Sequence, residues 1–179
     1  MSTVSSEPAP RRAGGGGDDE PDADPVEVTR QIALRRLDRR DYSRGELTEY
    51  LVRRRGCDRG DVDEVLDRLE SVGLVDDRRF AEAWAASRRR SRRLSASAIA
   101  RELRAKQVSN EIITETLAAL DPGSEAATAL DLARSRARGM RGLDRRTAHR
   151  RLAAALARKG YGPSVSFDAA DRALSELED

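Results

Sequence analysis

Arg88, Arg89, Arg90, Arg92 and Arg93 place five guanidinium groups within six residues, and Arg101, Arg104 and Lys106 follow shortly after. A second concentration runs from Arg134 to Lys159, where ten bases, among them Arg145, Arg146, Arg150, Arg151, Arg158 and Lys159, face the single acid Asp144. Guanidinium stays protonated at any working pH, so its chemistry is pairing, forked and charge-assisted, with phosphate or carboxylate oxygens. Cations suit the negative end of a helix, yet capping would use only one or two of them. The rest repel one another unless an anionic surface neutralises them. Each arginine taken singly reads equally well as part of a solvated face. As clusters they point to a polyanion or an acidic protein groove.

The chain offers little else that could do chemistry. His149 is the only histidine, within "TAHRRLAA", and reads as a surface or half-buried helix residue; Cys57 is the only cysteine, beside Gly56 in a connection. Together they cannot supply a metal site. There is no G-x-x-x-x-G-K-[ST] phosphate loop and no G-x-S-x-G elbow, and the "GGGG" near the start reads as a linker. We therefore expect no catalysis, no cofactor, no metal and no small-molecule substrate. No stretch approaches the roughly 18 apolar residues of a membrane span, and one cysteine suits a cytoplasmic location.

Charged residues make up 37% of the 179 and aromatics 3%, so any core must come from Leu, Ala, Val and Ile, which suits helices better than sheets. Residues 1–25 carry six acids against Arg11 and Arg12 and almost nothing apolar, which predicts a disordered acidic Gly/Pro-rich tail. Beyond it the apolar residues recur at three- and four-residue spacing in three similar units. "SRGELTEYLVRRRGC" then "VDEVLDRL" holds Leu47, Leu51, Val62, Leu66 and Leu69. "SASAIARELRAKQV" then "IITETLAAL" holds Ile99, Leu103, Ile113, Leu117 and Leu120. "TAHRRLAAALARKGY" then "FDAADRAL" holds Leu152, Leu156, Phe167, Ala170 and Leu174. Leu47, Ile99 and Leu152 are spaced by 52 and 53 residues. Each unit adds a leading helix, at about 27–39, 77–90 and 125–138. The predicted fold is all-α: three tandem three-helix repeats over 26–75, 76–122 and 123–179, forming an elongated curved array. Ser43 with Glu46 forms a capping-box pattern, Ser109 and Asp144 stand where N-caps belong, and Gly56, Gly73 and Gly160 where helices close.

Within this frame "GLVDDRRFAEAWAASRRRSRR" reads as the joint into the second unit and its leading helix. Gly73 ends one helix, Leu74-Val75 is an apolar joint, and Asp76 and Asp77 open the next helix at its positive end. Phe80 and Trp84, four apart, share a face. Either both rings fill the junction between units, or a partly exposed Trp84 anchors a partner. The two arginine clusters lie one repeat apart, so in a stack they could form one basic stripe along DNA phosphates, with affinity falling steeply as salt rises.

These same residues carry a resemblance. The pattern G-L-[LIV]-[DN]-D-x-[RK]-[FY]-A of the RecX family, bacterial regulators of the RecA recombinase, is matched by Gly73, Leu74, Val75, Asp76, Asp77, Arg79, Phe80 and Ala81. The family's I-x-x-E-L-x-x-K-G-[VI] is matched by Ile99, Glu102, Leu103, Lys106 and Val108, with Gln107 in place of the glycine. "YLVRRRG" and "ALARKGY" resemble the weaker copies, so the likeness spans about residues 26–177. It implies nine helices in three repeats, and a non-catalytic monomer that inserts into the groove of the RecA filament on single-stranded DNA and limits filament growth, recombinase activity and ATP hydrolysis. Groove binding and end capping both remain open. The rival reading is a helix-turn-helix DNA-binding protein or transcription factor acting without RecA. Segments 95–106 and 145–159 are Arg/Ala-rich with few amide side chains, which favours backbone contact over base reading.

Overall fold

A computed structural model describes residues 24–120 and 122–178; the tail expected over 1–25 lies outside these, apart from Asp24 and Pro25. Among the described residues the chain forms nine α-helices: α1 (Pro25–Leu37), α2 (Arg44–Glu49), α3 (Arg59–Ser71), α4 (Asp77–Arg92), α5 (Ala96–Ala105), α6 (Asn110–Ala118), α7 (Pro122–Ala137), α8 (Arg145–Arg158) and α9 (Pro163–Glu178). A π-helical turn, Tyr50–Arg54, continues α2, and a 3-10 turn, Arg138–Met140, continues α7.

The helix starts are set by short polar side chains. Ser43 accepts the Glu46 amide at 3.1 Å while Glu46 accepts the Ser43 amide at 3.5 Å, which completes the capping box. Asp58, Asp76, Ser95, Ser109 and Asp144 cap α3, α4, α5, α6 and α8 by the simpler half of this arrangement, each side chain accepting a backbone amide two or three residues on. Each such cap contributes about 1 kcal/mol. Gly56, Gly73 and Gly160 take positive φ of 71°, 72° and 90° where helices end.

None of these helices could persist alone, because an isolated helix of this length is marginal in water. Each unit closes its own small core. Ala33, Leu47, Leu51, Val62, Leu66 and Val75 fill the first, and Phe80, Ala81, Ile99, Leu103 and Ile113 the second. Ala129, Ala133, Leu152, Leu156, Ala170 and Leu174 fill the third. Packing runs α1 on α3, α4 on α6, and α7 and α8 on α9. A fully buried leucine here stabilises by about 2 kcal/mol.

Two expectations change. Phe167, read as a core position of the third unit, is 52% exposed. The inward face of α9 is Ser166, Ala169, Ala170, Ala173 and Leu174; Phe167 falls at the margin of that face, about 20° beyond Leu174 around the helix, and its ring stacks on His149 instead of entering the core. In the joint after Gly73, Val75 is buried but Leu74 is half-exposed at 49%, so the apolar contact is carried by one residue of the pair.

Candidate polyanion interface

The three middle helices, α2, α5 and α8, are joined end to end. The Ser43 hydroxyl donates to the Lys106 carbonyl at 2.5 Å, which fastens the N-terminus of α2 to the C-terminus of α5. One unit further, the Ser95 amide donates to the Lys159 carbonyl at 3.1 Å and fastens the N-terminus of α5 to the C-terminus of α8. Both contacts give a partner to a carbonyl that a helix end leaves unsatisfied, and they align the helix dipoles head to tail. Ser43 and Ser95 are fully buried.

Side chains reinforce each joint. At the first, Lys106 Nζ reaches Glu46 Oε1 at 2.8 Å, Gln107 donates to Glu49 at 2.7 Å, and the Arg44 amide donates to Asp77 Oδ1 at 2.7 Å. Burial opposes ionisation of Glu46, but hydrogen bonds from Arg40 and Lys106 outweigh it and hold the carboxyl below its usual range. Asp77 goes the other way: its burial dominates the Arg44 hydrogen bond and raises it. At the second joint the Tyr161 hydroxyl donates to the Arg93 carbonyl at 2.9 Å. Burial pushes that phenol up to about 12 against the opposing pull of Arg89 and Arg93.

Close approach at the joints is possible because one side lacks a side chain. A Cβ on Gly160 would lie 2.5 Å from Ser95 Oγ and 2.8 Å from Ala98 Cβ. At the first joint the corresponding helix end is Gln107, which has its Cβ and a positive φ of 59°. There the missing side chain is on the opposite partner: a Cβ on Gly45 would collide with Gln107 Cβ.

Trp84 is half-buried inside the second unit. It stacks on Phe80 with centroids 5.8 Å apart, and its Nε1 donates to Glu102 at 2.9 Å. The Arg88 guanidinium lies 3.8 Å from the ring centroid and Lys106 Nζ lies 4.0 Å from it. Arg88 Nε also donates to Glu102 at 2.6 Å. Of the two readings of Trp84, the first is closer: the ring serves the interior, bracketed by cations, with one edge in solvent.

The fourteen cations singled out from the sequence divide accordingly. Arg88 and Lys106 are engaged internally, their side chains only 19% and 15% exposed. Arg92 leans toward Glu102 at 3.8 Å, Arg101 donates to Ser97, Arg104 to Asn110, and Arg145 to Ser175 with Asp171 at 3.9 Å. Arg90, Arg146, Arg150, Arg151 and Arg158 are exposed, as is Arg93; Arg89 and Lys159 are half-buried. The second joint draws the two clusters together, since it sets the Arg93 backbone against Tyr161 and the Lys159 carbonyl against Ser95. Beside Arg150, the His149 and Phe167 rings stack at 5.7 Å and wall an apolar hollow of about 570 Å³. His149 lies 3.5 Å from Asp171, and the described residues hold no His/Cys/Asp/Glu group able to bind a metal ion. No helix among them is long and apolar enough to cross a membrane.

Charge counting along the sequence missed Glu46, Glu102 and Tyr161, which decide how the cations are used. The E-L-x-x-K spacing sets Glu102 and Lys106 four apart at the end of α5, where a helix would let them pair. Lys106 instead crosses the joint to Glu46.

An all-α chain whose three-helix units are joined through their middle helices defines a class of tandem three-helix-repeat proteins. Comparison places it more narrowly. Residues 30–69, 76–117 and 124–169 match, in order, the first, second and third three-helix domains of RecX. The chain belongs to the RecX family of regulatory proteins. It is 44% identical over 157 residues to the regulatory protein RecX of Streptomyces coelicolor, covering 88% of this chain and 83% of that one. With the RecX of Mycobacterium tuberculosis strain H37Rv it shares 42% over 146 residues, covering 79% and 83%. The crystal structure of RecX from Lactobacillus salivarius superposes with a TM-score of 0.74 at 20% identity, over 87% of this chain and 98% of that one.

Proposed function

We propose that this protein regulates RecA by lodging on the RecA–DNA filament and inhibiting its recombinase and ATPase activity, with no chemistry of its own. The observation that carries the reading is the second joint, which sets exposed Arg93 of the second unit, through its backbone, against Tyr161, with exposed Arg150 of the third unit lining the same hollow as that ring. A lattice of phosphates and acidic side chains is the surface such a row of fixed cations would complement. The apolar hollow under Phe167 and His149, beside Arg150, favours a surface that offers protein as well as phosphate. Regulation then needs only a difference in affinity between filament states. The units expected over 26–75, 76–122 and 123–179 would act as successive footholds along that lattice.

A helix-turn-helix reader is less well supported. Such proteins read bases with the N-terminal residues of a helix, whereas the N-termini of α2 and α5 are closed off in the joints by Lys106 and Lys159.

The test is ATP hydrolysis by RecA on single-stranded DNA. Inhibition at well below one protein per RecA supports action on the filament. Slowing that appears only when the protein saturates free DNA overturns it in favour of competition for DNA.

A further inference from the structure

The first unit, whose own sequence contributes none of the fourteen clustered cations, holds a cationic recess of its own. It is a hollow of about 190 Å³ between the end of α1 and the end of the π-helical turn, lined by Ile32, Arg35, Arg36, Arg39, Tyr50 and Arg55. Four of the six lining groups are guanidiniums and none is an acid. Among the described residues Arg35, Arg36, Arg39 and Arg55 form no ion pair, in contrast to neighbouring Arg53 and Arg59, which pair with Glu49 and Asp63.

Two features show that the recess is organised. Arg36 is held by rings: its guanidinium carbon lies 4.3 Å from the Tyr50 centroid and 4.8 Å from that of Tyr42. Its Nε is buried with no hydrogen-bond partner. A buried charged donor without an acceptor is costly, and an anion in the recess would satisfy it. The backbone contributes the second feature. The Arg55 amide donates to the Tyr50 carbonyl five residues back. This wider turn leaves Arg55 and Tyr50 lining the same recess, and single π turns recur at functional sites. The negative ends of two helices account for some of the cationic preference, but they leave the Arg36 donor unanswered.

We propose that this recess is a phosphate-binding site that takes a phosphodiester group of a nucleic-acid strand. A phosphate offers several oxygens to several forked donors at once, whereas one carboxylate offers two, so four converging guanidiniums favour phosphate over an acidic peptide. The strand assignment rests on the function proposed above; the phosphate site does not, and RecA is absent from its test.

The experiment follows the arginine Nε–H resonances of the full chain by NMR in chloride buffer. Inorganic phosphate is titrated first, then oligo(dT), then a glutamate-rich peptide. The expected result is a saturable shift of Arg36 with phosphate and with oligo(dT), and none with chloride at equal ionic strength. The variant Arg35→Gln/Arg39→Gln/Arg55→Gln, in which all three changed side chains are exposed, should fold normally and lose that shift. It should also bind oligo(dT) about tenfold more weakly, with a salt slope smaller by about 0.7. Arg53→Gln/Arg59→Gln, outside the recess, should keep the shift. An absent or unsaturable phosphate shift, or one unchanged in the triple variant, overturns the site. A phosphate shift that oligo(dT) does not reproduce overturns the strand assignment and leaves a site for free phosphate. Displacement of phosphate by the peptide more readily than by oligo(dT) overturns the preference for phosphate.

Discussion

Ser95 and Lys159 meet as the two ends of different helices: the amide that opens α5 donates to a carbonyl that closes α8 at 3.1 Å. The contact is backbone to backbone, so no change of side chain removes it directly. Only a group forced between the two helix ends can part them, and Gly160 is where such a group would enter.

Gly160→Ala should therefore destabilise the chain by roughly 3 kcal/mol, because it combines a strained positive φ with collision against Ser95 and Ala98. Thermal unfolding checks the value. At the other joint, Gly45→Ala should destabilise through Gln107. Gln107→Gly in the same chain should restore most of that loss, a coupling that a double-mutant cycle measures directly.

The phenol of Tyr161 titrates near 12 in the folded chain, raised by burial, against about 10 when unfolded. Its contribution is thus complete below pH 10 and is lost as pH climbs through 12. Tyr161→Phe should cost about 1 kcal/mol at neutral pH through the missing bond to Arg93. Denaturation curves of parent and variant should converge between pH 10 and 12.

Arg88→Ala and Arg90→Ala, neighbours in sequence, should behave as different kinds of change. Arg88 packs on the Trp84 ring and shares Glu102 with it, so its loss should cost about 1–2 kcal/mol and shift the emission of the only tryptophan. Arg90 is exposed, and its loss should leave the melting temperature unchanged. The set Arg90→Gln/Arg150→Gln/Arg151→Gln should keep the fold while its salt slope for single-stranded DNA falls by about 2. An unchanged slope would show that these side chains are merely solvated.

Lys106→Met keeps the aliphatic stem over Trp84 and Phe80 but leaves Glu46 with Arg40 alone. The pair is largely shielded, so the change should cost about 2 kcal/mol. Because Glu46 is held below its usual range by these two cations, it contributes stability at neutral pH that is lost on acidification. That acid loss should be smaller in the variant than in the parent, as urea unfolding at pH 3 and pH 7 would show.

Local patterning carried most of the fold into view. The Ser43–Glu46 box, the caps at Ser109 and Asp144 and the closing glycines depend on residues within a few positions of one another, and the structure has each of them. Leu47, Ile99 and Leu152, one repeat apart, are all fully buried. Phe167 was less legible: the predicted stripe of Phe167, Ala170 and Leu174 is buried at its last two positions, while its first sits at the margin of that face and stays exposed. The use of the cations was not legible from charge blocks at all. The acid that neutralises Lys106 lies 60 residues away, on a different unit, and such pairing exists only once the helix ends have met.

The exchange of bulk between Gly45 and Gln107 at one joint, and Gly160 and Ser95 at the other, makes each seam fit only its own neighbour. Transposing the second and third modules would bring Gly45 up against Gly160 and leave a gap where no Cβ fills the space. Every module would keep its interior, yet the recombined chain would come apart between them. The three pieces look alike, but their order is written into the backbone itself, and shuffling them would not be neutral.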